Sequence, residues 1–146
     1  MKLISPNILK KLYNHGIESY PKEACGFIFS NGDINYSLNI QDQLHQKDPV
    51  IYPRNATNGY SMSIKDTKTL ESSFKTINPA ICIYHSHPDV GAYFSKEDSD
   101  KALFMNELIY NVDYLVLDIN QGKALKAKQF SFVNDEFICV ATYGSD

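Results

Sequence analysis

Two histidines separated by one residue, His85 and His87, follow directly on an apolar, β-branched run, Ala80-Ile81-Cys82-Ile83-Tyr84. Side chains in a strand repeat every two residues, so both imidazoles project from one face while Ser86 points away. Two nitrogen donors placed this way can share one metal ion. The most economical third donor is Asp98, eleven residues after His87. It lies in a segment from Ser95 to about Met105 that reads as a helix opening with acids in its first turn. Two histidines, one aspartate and an open position make the donor set of a catalytic zinc, one ion per chain, whereas a structural zinc is more often closed by cysteine. Zinc brings the pKa of a bound water toward ~7 and polarises a carbonyl, which leaves a proton to be taken. Glu23, at the head of a predicted strand over 24–29, is the candidate base.

Each residue also has a plainer reading. A lone His-x-His pair usually belongs to the surface or the core. Ser95 with Asp98 is a helix N-cap with an acid three positions on, a variant of the capping box. The two readings of Ser95 are compatible, because a capping serine near a metal can still turn its hydroxyl toward a substrate. A glutamate just after Pro21 is ordinarily a solvated loop charge. His15 and His45 have no partners at recognisable spacing, and Asp89, Glu97 and Asp100 read as exposed charges.

The elements that must position these residues follow from local signals. Ser5-Pro6 opens a helix over 6–15, with Ile8, Leu9 and Leu12 on one face, that stops near Gly16. Asn31-Gly32 joins strands over 24–29 and 34–40 into a hairpin. The stretch 41–59 reads as a long loop with a short edge strand over 49–53. A second helix over 63–77, with Ile64, Leu70, Phe74 and Ile77 as its apolar face, ends before Asn78-Pro79. A buried strand then runs into the histidine pair, and strands near 113–119, 123–133 and 136–142 form a C-terminal meander.

The 146 residues suit a single domain over 1–146, long enough to bury about 70% of its unfolded surface. A 43% hydrophobic and 21% charged composition is that of a folded globular chain. Net charge is −3 with no dense basic stripe, so nucleic acid is not expected as a partner. Cys25, Cys82 and Cys139 lack metal-site spacing and sit in apolar runs, which predicts reduced thiols in the core. The N-terminus turns polar too early for a signal peptide and no window suits a membrane span, so the cytoplasm is the expected location.

Taken jointly, Pro-x-Glu-x-Cys-Gly-Phe at 21–27, His-Ser-His-Pro at 85–88, Ser95 and Asp98 resemble the JAMM (MPN+) metalloprotease domain. Its signature is a glutamate upstream of His-Ser/Thr-His-Pro, six residues, serine, two residues and aspartate. The resemblance implies a cytidine-deaminase-like α/β/α fold, a mostly mixed β-sheet flanked by helices. It implies zinc on His85, His87 and Asp98, Glu23 as general acid/base, and Ser95 helping to stabilise an oxyanion. Asn55 matches a polar position near the cleft only loosely. The implied activity is hydrolysis of an amide or isopeptide bond. The expected partner is a protein or peptide, at the C-terminal tail of a ubiquitin-like or sulfur-carrier protein, because a compact chain has little room for the insertions that grip ubiquitin. The alternatives are a non-catalytic interaction module, which generally lacks a ligand or the glutamate, and a phage-tail-type cell-wall peptidase, which is less expected because such domains occur beside a second hydrolase domain and these residues read as one domain. Zinc-dependent deamination is disfavoured, since the Pro-Cys-x-x-Cys ligand pair is absent.

Overall fold

The computed structural model describes residues 2–144. Ser5 caps α1 (Pro6–Ser19), its side chain accepting from the Ile8 backbone with proline at the first helical position. The hairpin at Asn31-Gly32 joins β1 (Cys25–Phe29) to β2 (Ile34–Ser37), and β2 is shorter than its sequence pattern suggested. After α2 (Gln41–Lys47) and α3 (Ile64–Ser73), β3 (Ala80–Pro88) carries the histidine pair inside the strand itself. Next come α4 (Lys96–Ala102), a small hairpin of β4 (Leu103–Phe104) and β5 (Glu107–Leu108), and then β6 (Asp113–Asn120), β7 (Lys123–Val133) and β8 (Glu136–Tyr143).

Six strands form one mixed sheet in the order β2-β1-β3-β6-β7-β8, in which only the central pair β3/β6 is parallel. A parallel pair requires a crossover, and α4 with the β4–β5 hairpin supplies it. Leu9 and Leu12 of α1 pack on one face, against Tyr84, Leu115, Leu117 and Ile119. Leu70 of α3 and Ala102 of α4 cover the other, against Phe27, Ile83 and Tyr114. The strand period puts His85 and His87 on the α4 face, beside Ile83. Among the described residues no helix is long and apolar enough to cross a membrane.

Several expectations need correction. Helix α1 does not stop at Gly16. That glycine is buried, and a Cβ there would come within 2.9 Å of the Ile119 side chain, so it marks close packing of helix on sheet. Helix α3 ends at Ser73, and of its expected apolar face only Leu70 is buried, while Ile64 and Ile77 are exposed. Polar bonds hold this helix instead. The Asp66 carboxylate accepts from Ser63 Oγ at 2.6 Å, Asn35 Nδ2 at 3.0 Å and the Leu38 amide at 2.9 Å. The long loop contains α2, and over 49–53 a turn at 49–51 and irregular backbone at 52–53 replace the expected strand. The helix after Ser95 ends at Ala102. Cys25 and Cys82 are buried free thiols, but Cys139 is exposed because it lies on the edge strand β8.

Candidate metal centre

His85 and His87 stand two residues apart on β3, and Asp98 reaches them from the first turn of α4. Ser95 and Asp98 form a complete capping box: Ser95 Oγ accepts from the Asp98 amide and Asp98 Oδ2 accepts from the Ser95 amide, both at 3.0 Å. The structure shows the capping reading of this pair, and the cap that starts the helix also orients the Asp98 carboxylate toward the two histidines. The Ser95 hydroxyl accepts through its oxygen and keeps a proton to donate.

The donor atoms converge closely. His85 Nε2 lies 3.0 Å from His87 Nε2 and 3.1 Å from Asp98 Oδ1, and His87 Nε2 lies 3.3 Å from Asp98 Oδ2. Metal–nitrogen bonds of about 2.05 Å at tetrahedral angles separate their donors by about 3.3 Å, so the group has the dimensions of a coordination shell. Protonation logic points the same way. His87 Nδ1 meets the Gly91 carbonyl at 3.0 Å, and since a carbonyl only accepts, Nδ1 carries the proton and Nε2 presents a lone pair in the neutral ring. Acceptors facing one another this closely repel unless a proton or a cation lies among them. Without a metal the proton takes that part. Burial works against charging His87, but the hydrogen bond and charge of Asp98 outweigh it and raise its pKa. Burial likewise opposes ionisation of Asp98, yet the two imidazoles hold its carboxyl far below the usual range. The three residues, all buried, can hold a metal ion.

Around them, Tyr60 stacks on His85 with ring centres 4.6 Å apart, and Tyr93 meets His87 edge-on at 5.0 Å. A cavity of about 640 Å³ opens beside the group, lined among others by Glu23, Tyr60, His87, Ser95, Asp98 and Lys101. Glu23 is 6% exposed. Burial raises its carboxyl pKa, partly offset by His85 and His87.

Glu23 lies two residues before β1, where no regular ladder holds it, and polar residues do that work. Its amide donates to the Ala56 carbonyl at 2.7 Å and its carbonyl accepts from Asn39 Nδ2 at 2.9 Å. Ser86, facing away from the metal group as the strand period requires, accepts from the Ala24 amide through Oγ at 2.8 Å and donates its own amide to the Ala24 carbonyl at 3.0 Å. The residue between the histidines therefore fixes the residue after the glutamate. Asp89, read as an exposed charge, is exposed but accepts from Tyr20 Oη and the Gln121 amide, both at 2.7 Å, and so pins the loop that follows His87. Asn55 accepts from Thr57 within its own turn. His15 and His45 bond Tyr84 Oη and the Tyr52 carbonyl, and neither belongs to the converged group of His85, His87 and Asp98.

The family of prokaryotic homologs of the JAB domain matches residues 5–124. The chain belongs to that family. No curated protein matches it. Among solved structures, this JAB domain is similar to the solution structure of a protein from Desulfitobacterium hafniense, with 20% identity, TM-score 0.64 and coverage of 92% of this chain and 86% of that one. It is also similar to the solution structure of a protein from Salinibacter ruber, with 22% identity, TM-score 0.57 and coverage of 97% and 90%. At these identities the likeness bears on the fold, a mixed sheet flanked by helices. The match to residues 5–124 takes in Glu23 and the whole His-Ser-His-Pro to Asp98 segment.

Proposed function

We propose that this JAB domain is a zinc-dependent amide or isopeptide hydrolase, and the convergence of His85 Nε2, His87 Nε2 and Asp98 to 3.0–3.3 Å is the observation that carries the reading. His85, His87 and Asp98 would hold the ion, which supplies Lewis acidity toward a carbonyl and toward water. The chain's own residues do the rest. Glu23, buried at the cavity and raised in pKa, takes a proton from the attacking water and returns it to the leaving amine as the C–N bond breaks. Ser95 donates its hydroxyl proton toward the oxyanion. Ser86 and Asn39 keep Glu23 in place.

The substrate in this reading is the C-terminal tail of a ubiquitin-like or sulfur-carrier protein. Ile51, Val90 and Tyr93, exposed along the cavity, offer an extended segment apolar flanks without any large insertion. Main-chain hydrogen bonding would suit a diglycine tail there. Three unpaired thiols fit a reducing compartment such as the cytoplasm.

The test is metal content by mass spectrometry on the parent, His87→Ala and Glu23→Gln, followed by cleavage of ubiquitin-like fusions. One zinc per chain is expected in the parent and in Glu23→Gln but not in His87→Ala, with hydrolysis slowed about 10²–10⁴-fold in Glu23→Gln. A parent that stays metal-free after reconstitution would leave an interaction module as the better reading.

A further inference from the structure

Three cations line the cavity beside the metal group: Arg54, Lys96 and Lys101. Arg54 is salt-bridged to Glu97 and Lys96 to Asp100, each at 2.9 Å. Lys101 has no carboxylate within salt-bridge distance among the described residues. Its ammonium lies 3.9 Å from the centre of the Tyr60 ring, which itself stacks on His85 at 4.6 Å. The ammonium is thus at most about 8.5 Å from the His85 ring centre, the two distances laid end to end. Burial disfavours its charge, while Glu23, then Asp98, favour it from nearby. A lysine held over an aromatic face, partly desolvated and committed to no carboxylate is an anion-binding group in the wall of the cavity that Glu23 and Asp98 also line.

We infer that Lys101 binds the free α-carboxylate of the residue released by hydrolysis, so that the substrates are tails or adducts whose leaving amine is the α-amine of a terminal amino acid. This rests on the hydrolase reading. Reach decides which carboxylate fits. The α-carboxylate lies one residue, about 3.5 Å, beyond the scissile carbonyl, and a charged hydrogen bond adds about 2.8 Å, which falls within the bound set by Tyr60. In a conjugated lysine the α-carboxylate stands four methylenes farther from the scissile nitrogen, and that flexible chain would have to fold back to bring it to Lys101. Lys101 lines the same cavity as Glu23, the residue assigned to protonate the leaving amine. With Tyr60, Lys101 also walls a second cavity of about 290 Å³ that includes Leu70, Ile83, Ile109 and Tyr114, so leucine is the side chain to use in a probe.

The test compares acetyl-Gly-Gly-Leu as free acid and as carboxamide, on the zinc-reconstituted full chain, for the parent, Lys101→Met and Lys101→Arg. The parent is expected to favour the acid about tenfold to a hundredfold in kcat/KM. That preference should fall to near parity in Lys101→Met and return in part in Lys101→Arg. In parallel, N-acetylleucine and its amide are titrated by NMR into zinc-loaded Glu23→Gln with and without Lys101→Met, which reads binding with no cleavage. Equal rates on acid and amide in the parent would overturn the anchor and leave the hydrolase reading standing. An acid preference that survives Lys101→Met would place the carboxylate on another positive group and overturn it as well. If neither peptide is cleaved yet acid-selective binding depends on Lys101, the anchor stands and the hydrolase reading fails.

Discussion

Glu23 is held where its charge costs stability. Its folded pKa lies above the ordinary value because burial outweighs the two imidazoles and Lys101. A carboxyl raised in the folded state is not penalised at pH values below its unfolded pKa, and the penalty appears as pH climbs through the folded value. Metal-free Glu23→Gln is therefore expected to melt above the parent at pH 7 and to match it near pH 4. Calorimetry in chelator checks this, and an undiminished difference at pH 4 would contradict it. Ser95 carries two duties that a pair of variants separates. Ser95→Ala loses both the cap, worth about 1 kcal/mol, and the hydroxyl donor. Ser95→Asp keeps a good capping residue without a donor, so chemical denaturation should show stability largely recovered while hydrolysis stays slow. Recovery of both would reduce Ser95 to a cap.

At the scale of elements, the helix–sheet contact at Gly16 and the polar loop behind Glu23 set the geometry of the site. Gly16→Ala gains up to about 1 kcal/mol of helix propensity, but its Cβ would sit 2.9 Å from Ile119 Cδ1 and 3.5 Å from Ser86 Cβ. Overpacking of this kind costs about 1–3 kcal/mol, so net destabilisation is expected, with a smaller cost in an Ile119→Ala background, which lacks both Cδ1 and the equally close Cγ1. Additive effects in that double-mutant cycle would refute the contact. Behind Glu23, the Asp42 carboxylate accepts from the Ala56 amide at 2.7 Å, and Gln41 Nε2 donates to the Arg54 carbonyl at 3.0 Å. Through Ala56 this loop holds the Glu23 amide. Asp42→Ala should slow hydrolysis several-fold with zinc content unchanged, whereas loss of zinc would mean that the loop supports the ligands directly. These tethers were illegible in the sequence, because Asn39, Gln41 and Asp42 act through side-chain bonds to backbone groups 13–20 residues away and leave no period. Gly16 misled as a stop signal because the contact that requires it comes from Ile119. The histidine pair and the capping serine were legible because strand period and helix capping are local rules.

For the whole molecule, a metal on β3 and α4 would tie the central strand to the crossover that leads into β6. The sequence carried this topology in outline, since the apolar runs into His85 and from Asp113 to Ile119 mark the buried parallel pair. It did not carry the β4–β5 hairpin, two strands of two residues each with φ-positive Met105 and Asn106 at the turn, too short for any pattern. A ligand that binds only the folded chain stabilises it by about 2.7 kcal/mol at a hundredfold excess over Kd. The pH dependence of that gain identifies the ligand set. His87 has its pKa raised, chiefly by Asp98 against the opposing effect of burial. In the metal-free protein its protonated pairing stabilises fully below the unfolded value near 6.5 and is lost as pH rises through the higher folded value. Metal must displace that proton. The increase in Tm on adding zinc should therefore be small at pH 5 and grow as pH rises through the folded pKa of His87, where the metal-free form weakens and the competing proton leaves. In His87→Ala the increase should be largely abolished at every pH. A zinc effect of constant size from pH 5 to 8, or one that persists in His87→Ala, would mean that the ion binds elsewhere and that the three converged donors are held together by the proton alone.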